Sequence, residues 1–401
     1  MKKVIKTEDI KSNEAINEID ESTSSEISNS SITAEPEAKT PSSVNNYNDT
    51  HEKKSFIEGT EKTRVVYEEK VSIVTDVLND VRNGKAINID KVQDLSNSLV
   101  ENVLTHTDTM ITLARVKKFD EYTFKHSINV AILTIALGKY LNYPKKELHV
   151  LGTGGILHDC GKMKIPNKIL NKEGRLTEDE FEIMKNHPSY GAEMLEPYGT
   201  LDRKSILMVL QHHEKYSGGG YPTGLPGNRI STFGMMTTIA DVYDALTSER
   251  VYKKALTPFK GLKMIYIGRG QHFHPNIVEH FILAMGLFPI GSIVRLKNQQ
   301  MGIVISVNRR NLLYPRVLII ADDKNNMLPE PGIANINPPQ RIESNEWTIE
   351  EIFEESEVDK PSEIFRKEEE CMVEKVLEPS DHNIDIDYYI NNLKEFGKKA
   401  A

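Results

Sequence analysis

The chain has 401 residues, 38% hydrophobic and 27% charged, with a formal net charge of -9 at pH 7. That length allows two or three domains. The negative balance excludes general attraction to nucleic-acid polymers or anionic membranes, so an anionic ligand must be captured by local basic residues. Two cysteines, Cys160 and Cys371, are too few for a disulfide framework and fit a reducing cytoplasm. The opening MKKVIKTEDIK lacks the apolar core of a signal peptide, and no run of about 18 apolar residues marks a transmembrane helix. The expectation is a soluble, cytoplasmic protein.

Residues 1–60 read as a disordered tail. The stretch from Glu21 to Ser43 holds almost no large apolar side chain and cannot offset its own ordering entropy. Residues 61–115 read as a helical hairpin. Val65, Val66, Val71, Ile73, Val74, Val77, Leu78 and Val81 recur near helical spacing up to Gly84, and Val92, Leu95, Leu99, Val100, Val103 and Leu104 mark the second helix. The hairpin carries a signal, mediates a homodimer contact, or acts as a structural lid on the main core; the sequence leaves these open.

Residues 116–286 read as a helical catalytic domain. One helix starts at Asp120 or Thr123 and holds His126. The next runs from Lys145 to His158-Asp159. Thr177 followed by Glu180 is a capping box that opens a helix through Phe181, Met184 and His187. Another helix spans Leu201 to His213, a Gly/Pro-rich loop runs from Ser217 to Gly227, and a long helix from Thr232 carries both Asp241 and Arg250. Residues 287–345 switch to period two: IGSIVRL, MGIVISV and RVLIIAD read as three short strands of a small β subdomain. Residues 346–401 read as an acidic tail. The fold class is therefore mainly α, with a small C-terminal β subdomain.

Seven histidines and aspartates run in order through apolar, helix-like sequence: His126, His158, Asp159, His187, His212, His213 and Asp241. Uncompensated polar groups in such places are costly, and bound metal accounts for all of them together. Each has a plainer explanation on its own. His126 suits a satisfied core histidine, His187 ahead of Pro188 suits a helix terminus, and the pair His212-His213 suits one buried and one exposed ring. Imidazole suits Fe, Mn, Zn and Ni, and carboxylates shift the preference toward Mn and Fe. A carboxylate at Asp159 can bridge two cations, and positions not filled by protein keep a metal site open to substrate. The set therefore points to a metal-dependent hydrolase. His51, His106, His149, His272, His280 and His382 lack such context.

The segments DEYTFKHSINVAIL, GGILHDCGKMKIP, MKNHPSYGAEML, HHEKYSGGGYP and IADVYDALTSERVYKKA together resemble the HD-GYP subgroup of the HD phosphohydrolase superfamily. The likeness covers residues 115–290. The triplet Gly220-Tyr221-Pro222 stands at the family distance from the double histidine. The resemblance implies an HD-type fold and hydrolysis of cyclic di-GMP to linear pGpG or on to GMP, with cyclic GMP-AMP as an alternative substrate. It implies a centre of two or three metals, commonly iron or manganese, with the seven residues above at its ligand positions and Asp159 as the catalytic bridge. Lys162 matches a phosphate-contacting, catalytic lysine. Arg250 and Lys253 match basic residues that hold substrate phosphates, and Gly220 and Tyr221 match the substrate loop.

The sequence departs from the family pattern in several places. Tyr122 replaces the glutamate of three-metal members, with Glu121 one residue off register, so the expectation is two metals. Ser217 stands where Asp or Asn is common, and Phe273-His274-Pro275 replaces a carboxylate with an imidazole. Cys160 is read as a small buried filler. In the loop, Gly218, Gly219 and Gly220 permit positive φ and close backbone approach, and Tyr221 offers a ring for a guanine. Asp244, one turn after Asp241, is read as orienting Arg250 or a ligand histidine. Two readings compete with the enzyme: a low-turnover cyclic-dinucleotide sensor, and another HD-superfamily nucleotide hydrolase.

Overall fold

The computed structural model describes residues 50–115, 122–248, 255–309, 312–335 and 373–392. Arg250, Lys253 and Glu121 lie outside the described residues, as do residues 1–49, where most of the expected disordered tail falls.

Helices α1 (Thr50–Arg82) and α2 (Ile89–Arg115) form the expected hairpin. α1 already begins at Thr50, which corrects the tail boundary at residue 60: its Glu- and Lys-rich opening turns have high helix propensity without needing an apolar face. The inward face also differs from the expected register. Tyr67, Val71, Val74, Leu78 and Val81 are buried, while Val65 is 66% exposed. Gly84, at φ +81, closes the helix in the left-handed conformation. α1 packs on both α2 and α3, so the hairpin is built onto the main core.

Helix α3 (Tyr122–Tyr140) sits at the centre, against α2, α4 (Lys145–Leu157), α9 (Thr232–Thr247) and α11 (Pro275–Met285). Ile128, Val130, Ala131, Ile132, Ile135 and Leu137 are all buried, as expected of a helix that is apolar all round. Thr177 caps α6 (Glu178–Met184) in a complete capping box. His187 is not on that helix: it opens α7 (His187–Leu195). Pro188 cannot continue α6 but fits the first turn of a new helix. α8 spans Arg203–Gln211.

α9 carries Asp241 but ends at Thr247, with Ser248 extended, which corrects the expected single helix holding both Asp241 and Arg250. Thr247 Oγ1 donates to the Tyr243 carbonyl at 2.8 Å, and Ser248 Oγ donates to Asp244 Oδ1 at 3.3 Å; such local back-bonding competes with helix propagation. Among the described residues no helix is long and apolar enough to cross a membrane.

The three expected strands are β1 (Ile293–Leu296), β2 (Met301–Ser306) and β3 (Arg316–Ala321), and two more, β4 (Met327–Asn335) and β5 (Val373–Leu377), complete an antiparallel sheet. The order is β4-β3-β2-β1-β5. Period two assigns its faces: Val317 and Ile319 join the helical core, while Leu318 and Ile320 join a second cluster with Ile384, Tyr389 and Ile390. The region read as an acidic tail thus contains a sheet strand and a short helix, Ile386–Asn391, that covers the second face. Residues 346–372 and 393–401 of that tail lie outside the described residues.

Candidate metal centre

The structure brings the seven candidate residues together, four of them at helix ends, His213 just after the cap of α8, and His126 and Asp241 inside helices. His126 lies on α3; His158 caps the C-terminus of α4; Asp159 precedes a 3-10 turn, Cys160–Lys164; His187 opens α7; His212 caps α8; and Asp241 lies within α9. All seven are buried.

Helix C-termini leave carbonyls without intrahelical partners, and three imidazoles use them. His158 Nδ1 lies 2.8 Å from the Gly155 carbonyl, His187 Nδ1 2.8 Å from Met184 and His212 Nδ1 2.8 Å from Val209. These contacts assign the proton to Nδ1 in each ring, which leaves Nε2 as a lone pair pointing into the centre. His126 is held otherwise: its Nδ1 is 2.7 Å from Asp244 Oδ2 and its Nε2 is 3.0 Å from Asp241 Oδ1.

The Nε2 atoms then meet. His158 and His126 approach to 3.2 Å, and His187 and His212 to 3.3 Å. Asp159 stands between the pairs. Its Oδ1 is 3.3 Å from His187 Nε2 and 3.6 Å from His212 Nε2, and its Oδ2 is 3.4 Å from His158 Nε2 and 3.8 Å from His126 Nε2. Two ligand groups result, Asp159/His187/His212/His213 and His126/His158/Asp159, each with donor atoms within 4.8 Å of one another, and Asp159 is common to both.

Two details show that this donor set fits metal. Asp159 Oδ1 and His213 Nδ1 are buried without a hydrogen-bond partner, which is costly unless something else satisfies them. The facing Nε2 lone pairs of His187 and His212 also gain nothing from each other. The cluster has the composition and geometry of a divalent-metal site.

Electrostatics separates the two sides. Burial disfavours a charged His126, but its hydrogen bonds to Asp241 and Asp244 outweigh that and hold it up at about 9 in the metal-free protein. Burial pushes His187 down to about 4, and lowers His212 and His213 as well, so these three stay neutral and ligand-competent. Burial alone would raise Asp159; Lys162 and His158 reverse this and hold its carboxyl well below the usual range. Lys162 Nζ is 2.5 Å from Asp159 Oδ2, and its side chain, 25% exposed, is the less buried partner of the pair. Burial raises the Cys160 thiol to about 12, in keeping with a filler.

The loop beyond His213 is folded back by Glu214. This carboxylate, fully buried, accepts backbone N–H bonds from Thr223 at 2.6 Å, Gly224 at 3.1 Å and Leu225 at 2.9 Å. Gly218 and Gly219 use positive φ, whereas at Gly220 a Cβ would overlap the backbone of Glu214 and Lys215. Tyr221 is thereby laid against His213, ring centroids 4.7 Å apart and 30° from parallel. It is 9% exposed, so one face of the ring is committed to the histidine.

The HD domain family model matches residues 105–277, which contain every residue of the centre. That segment is similar to the HD domain family. The chain is also similar to the cyclic di-GMP phosphodiesterase PA4108 of Pseudomonas aeruginosa, at 39% identity over 61% of this chain and 59% of the relative. It is 36% identical to a cyclic di-GMP phosphodiesterase of Vibrio cholerae over 51% of this chain and 45% of that one. It is 33% identical to the 3'3'-cGAMP-specific phosphodiesterase 2 of Vibrio cholerae over 46% of this chain and 35% of that one. The chain therefore spans less than two thirds of the length of each of these relatives.

Three residues that the sequence reading passed over complete the surroundings of the centre. Glu214 directly follows the double histidine, and a carboxylate at the end of an apolar helix was its signal. Asn129 donates from Nδ2 to Asp244 Oδ1 at 2.9 Å, and the Tyr67 hydroxyl donates to Asn129 Oδ1 at 2.8 Å. Asp244 orients His126, one of the two kinds of partner read for it, through the 2.7 Å contact with Nδ1. The side chain of Tyr122, on which the expected metal count turned, lies outside the described residues.

Proposed function

We propose that this chain is a metal-dependent phosphodiesterase that hydrolyses cyclic di-GMP to pGpG or GMP. Its centre would hold two divalent ions, iron or manganese, with His126, His158, Asp159, His187, His212, His213 and Asp241 as ligands. The observation that carries this reading is the Asp159 carboxylate, which presents one oxygen to each of two histidine groups. Divalent ions bound there would supply Lewis acidity toward a phosphoryl oxygen and a nucleophile at neutral pH.

The chain's own residues supply the remainder. The backbone carbonyls of Gly155, Met184 and Val209 orient three imidazoles, which lowers the reorganisation needed when charge develops. Lys162 would shift from Asp159 Oδ2 toward a substrate phosphate at the mouth. Arg250 can clasp a phosphate with two parallel N–H bonds, which a lysine cannot, and Lys253 would add a further charge. Gly220 and Tyr221 would form the substrate edge of the loop that Glu214 braces. The hairpin as a homodimer contact belongs to the same proposal.

The test is anaerobic purification with metal analysis, followed by product identification from cyclic di-GMP and cyclic GMP-AMP in parallel. The proposal expects turnover of cyclic di-GMP that is lost on chelation. Preferential cleavage of cyclic GMP-AMP would reassign the substrate, and no cleavage of either by the metal-loaded chain would overturn the reading.

A further inference from the structure

Tyr67 lies on α1, outside the 105–277 segment matched to the HD domain family. Its hydroxyl nevertheless starts an unbroken buried chain to the metal centre. Tyr67 donates to Asn129 Oδ1 at 2.8 Å, Asn129 Nδ2 donates to Asp244 Oδ1 at 2.9 Å, and Asp244 Oδ2 accepts from His126 Nδ1 at 2.7 Å. We propose that Tyr67 is a positioning residue for the metal centre, acting through Asn129 and Asp244 on His126, so that helix α1 sets how tightly the centre holds its metal. The inference rests on the reading of these histidines and aspartates as metal ligands.

The chemistry of the middle link makes the chain directional. An asparagine amide has one accepting and one donating end, and here both are in use. Burial and the negative charge of Asp244 push the Tyr67 phenol upward, so it remains a protonated donor and selects the Oδ1 end of Asn129. The Nδ2 end is thereby aimed at Asp244. Without the phenol hydroxyl, Asn129 Oδ1 loses the donor it has among the described residues, and with it the α1 contact that opposes an amide flip setting Oδ1 against the carboxylate. The other anchor on Asp244 Oδ1 is the longer bond from Ser248 Oγ, 3.3 Å. Linked hydrogen bonds in a low-dielectric interior strengthen one another, and a break in one is felt by the next. A tyrosine that merely filled the core would need no such partner sequence and would cost only stability when its hydroxyl was removed.

The experiment titrates Mn2+ into the metal-stripped full chain, comparing wild type with Tyr67→Phe, Asn129→Ala, the double variant, and Val74→Ala as a control. Val74 lies on the same buried face of α1, 1% exposed, and outside the chain of hydrogen bonds. Tyr67→Phe is expected to weaken Mn2+ binding about three- to tenfold, below the ~10–100-fold typical of direct outer partners of a ligand. Val74→Ala should lower the melting temperature without changing affinity. In the Asn129→Ala background, Tyr67→Phe should have no further effect. Wild-type affinity in Tyr67→Phe, or an equal loss in Val74→Ala, overturns the inference. So does unchanged affinity in Asn129→Ala, which cuts the chain one link later whether or not Tyr67→Phe folds. A wild-type chain that binds no Mn2+, or an Asp159→Ala chain that retains it, instead refutes the metal-centre reading and the inference with it.

Discussion

His187 and His212 face each other through their Nε2 atoms at 3.3 Å, while each ring's Nδ1 is tied to a backbone carbonyl. With the proton held on Nδ1, both inward nitrogens are acceptors. Helix-end carbonyls thus do more than find partners: they hold two lone pairs in a geometry that favours a cation between them. The same device orients His158, and the carboxylate of Asp244 replaces it for His126.

Asp244→Asn should weaken metal binding about 10–100-fold, the range typical for partners that orient a ligand histidine. An amide can turn its Nδ2 toward His126 and so favour the wrong ring tautomer. Chelator competition measures the change. Unaltered affinity would mean that His126 does not contribute to binding.

The metal-free protein should be most stable near pH 6.5, the ordinary histidine value. On the alkaline side, His126 has a folded value of about 9 against 6.5, so its stabilising effect is fully present below 6.5 and is lost as pH rises through 9. On the acid side, His187 has a folded value of about 4 against 6.5. The unfolded chain then takes up the proton first, and stability falls as pH drops from 6.5 through 4. Chemical denaturation across pH 4–10 checks both limbs; a curve that rises steadily to pH 10 would contradict the assignment for His126.

Glu214→Gln should loosen the loop from Thr223 to Leu225 by placing an NH2 group where N–H donors need an acceptor. The expected stability loss is about 1–3 kcal/mol for an unsatisfied buried group. KM for the cyclic dinucleotide should rise while metal content stays unchanged. Loss of metal in this variant would show that Glu214 supports the histidines rather than the loop.

Lys162→Ala removes the ammonium 2.5 Å from Asp159 Oδ2. Metal should still bind, since a competing cation has gone. Activity as kcat/KM should fall on the order of 10- to 100-fold, the equivalent of ~1.5–3 kcal/mol for a charge-assisted hydrogen bond. Full activity would remove Lys162 from the catalytic set.

The metal centre was legible because its residues are chemically unusual where they stand: imidazoles and carboxylates at the ends of apolar helices, such as His158-Asp159 after Gly154-Gly155-Ile156-Leu157. The hairpin, the capping box at Thr177 and the first three strands were legible for the same reason, each being a local pattern. What was missed depended on tertiary contacts. Tyr67 is the inward residue of a turn where Val65 and Val66 offer an equally plausible register. The strand Val373–Leu377 reads as acidic tail until β1 provides the edge it pairs with. The end of α9 at Thr247 follows from hydroxyl contacts within its own last turn, which apolar spacing does not report.

If Asp159 joins two ions in one centre, the metal stoichiometry of wild type and Asp159→Ala after anaerobic purification reports it. Two iron or manganese ions per wild-type chain are expected, with both lost and cyclic di-GMP hydrolysis abolished in the variant. Two ions retained in Asp159→Ala, with turnover intact, would contradict that role for Asp159.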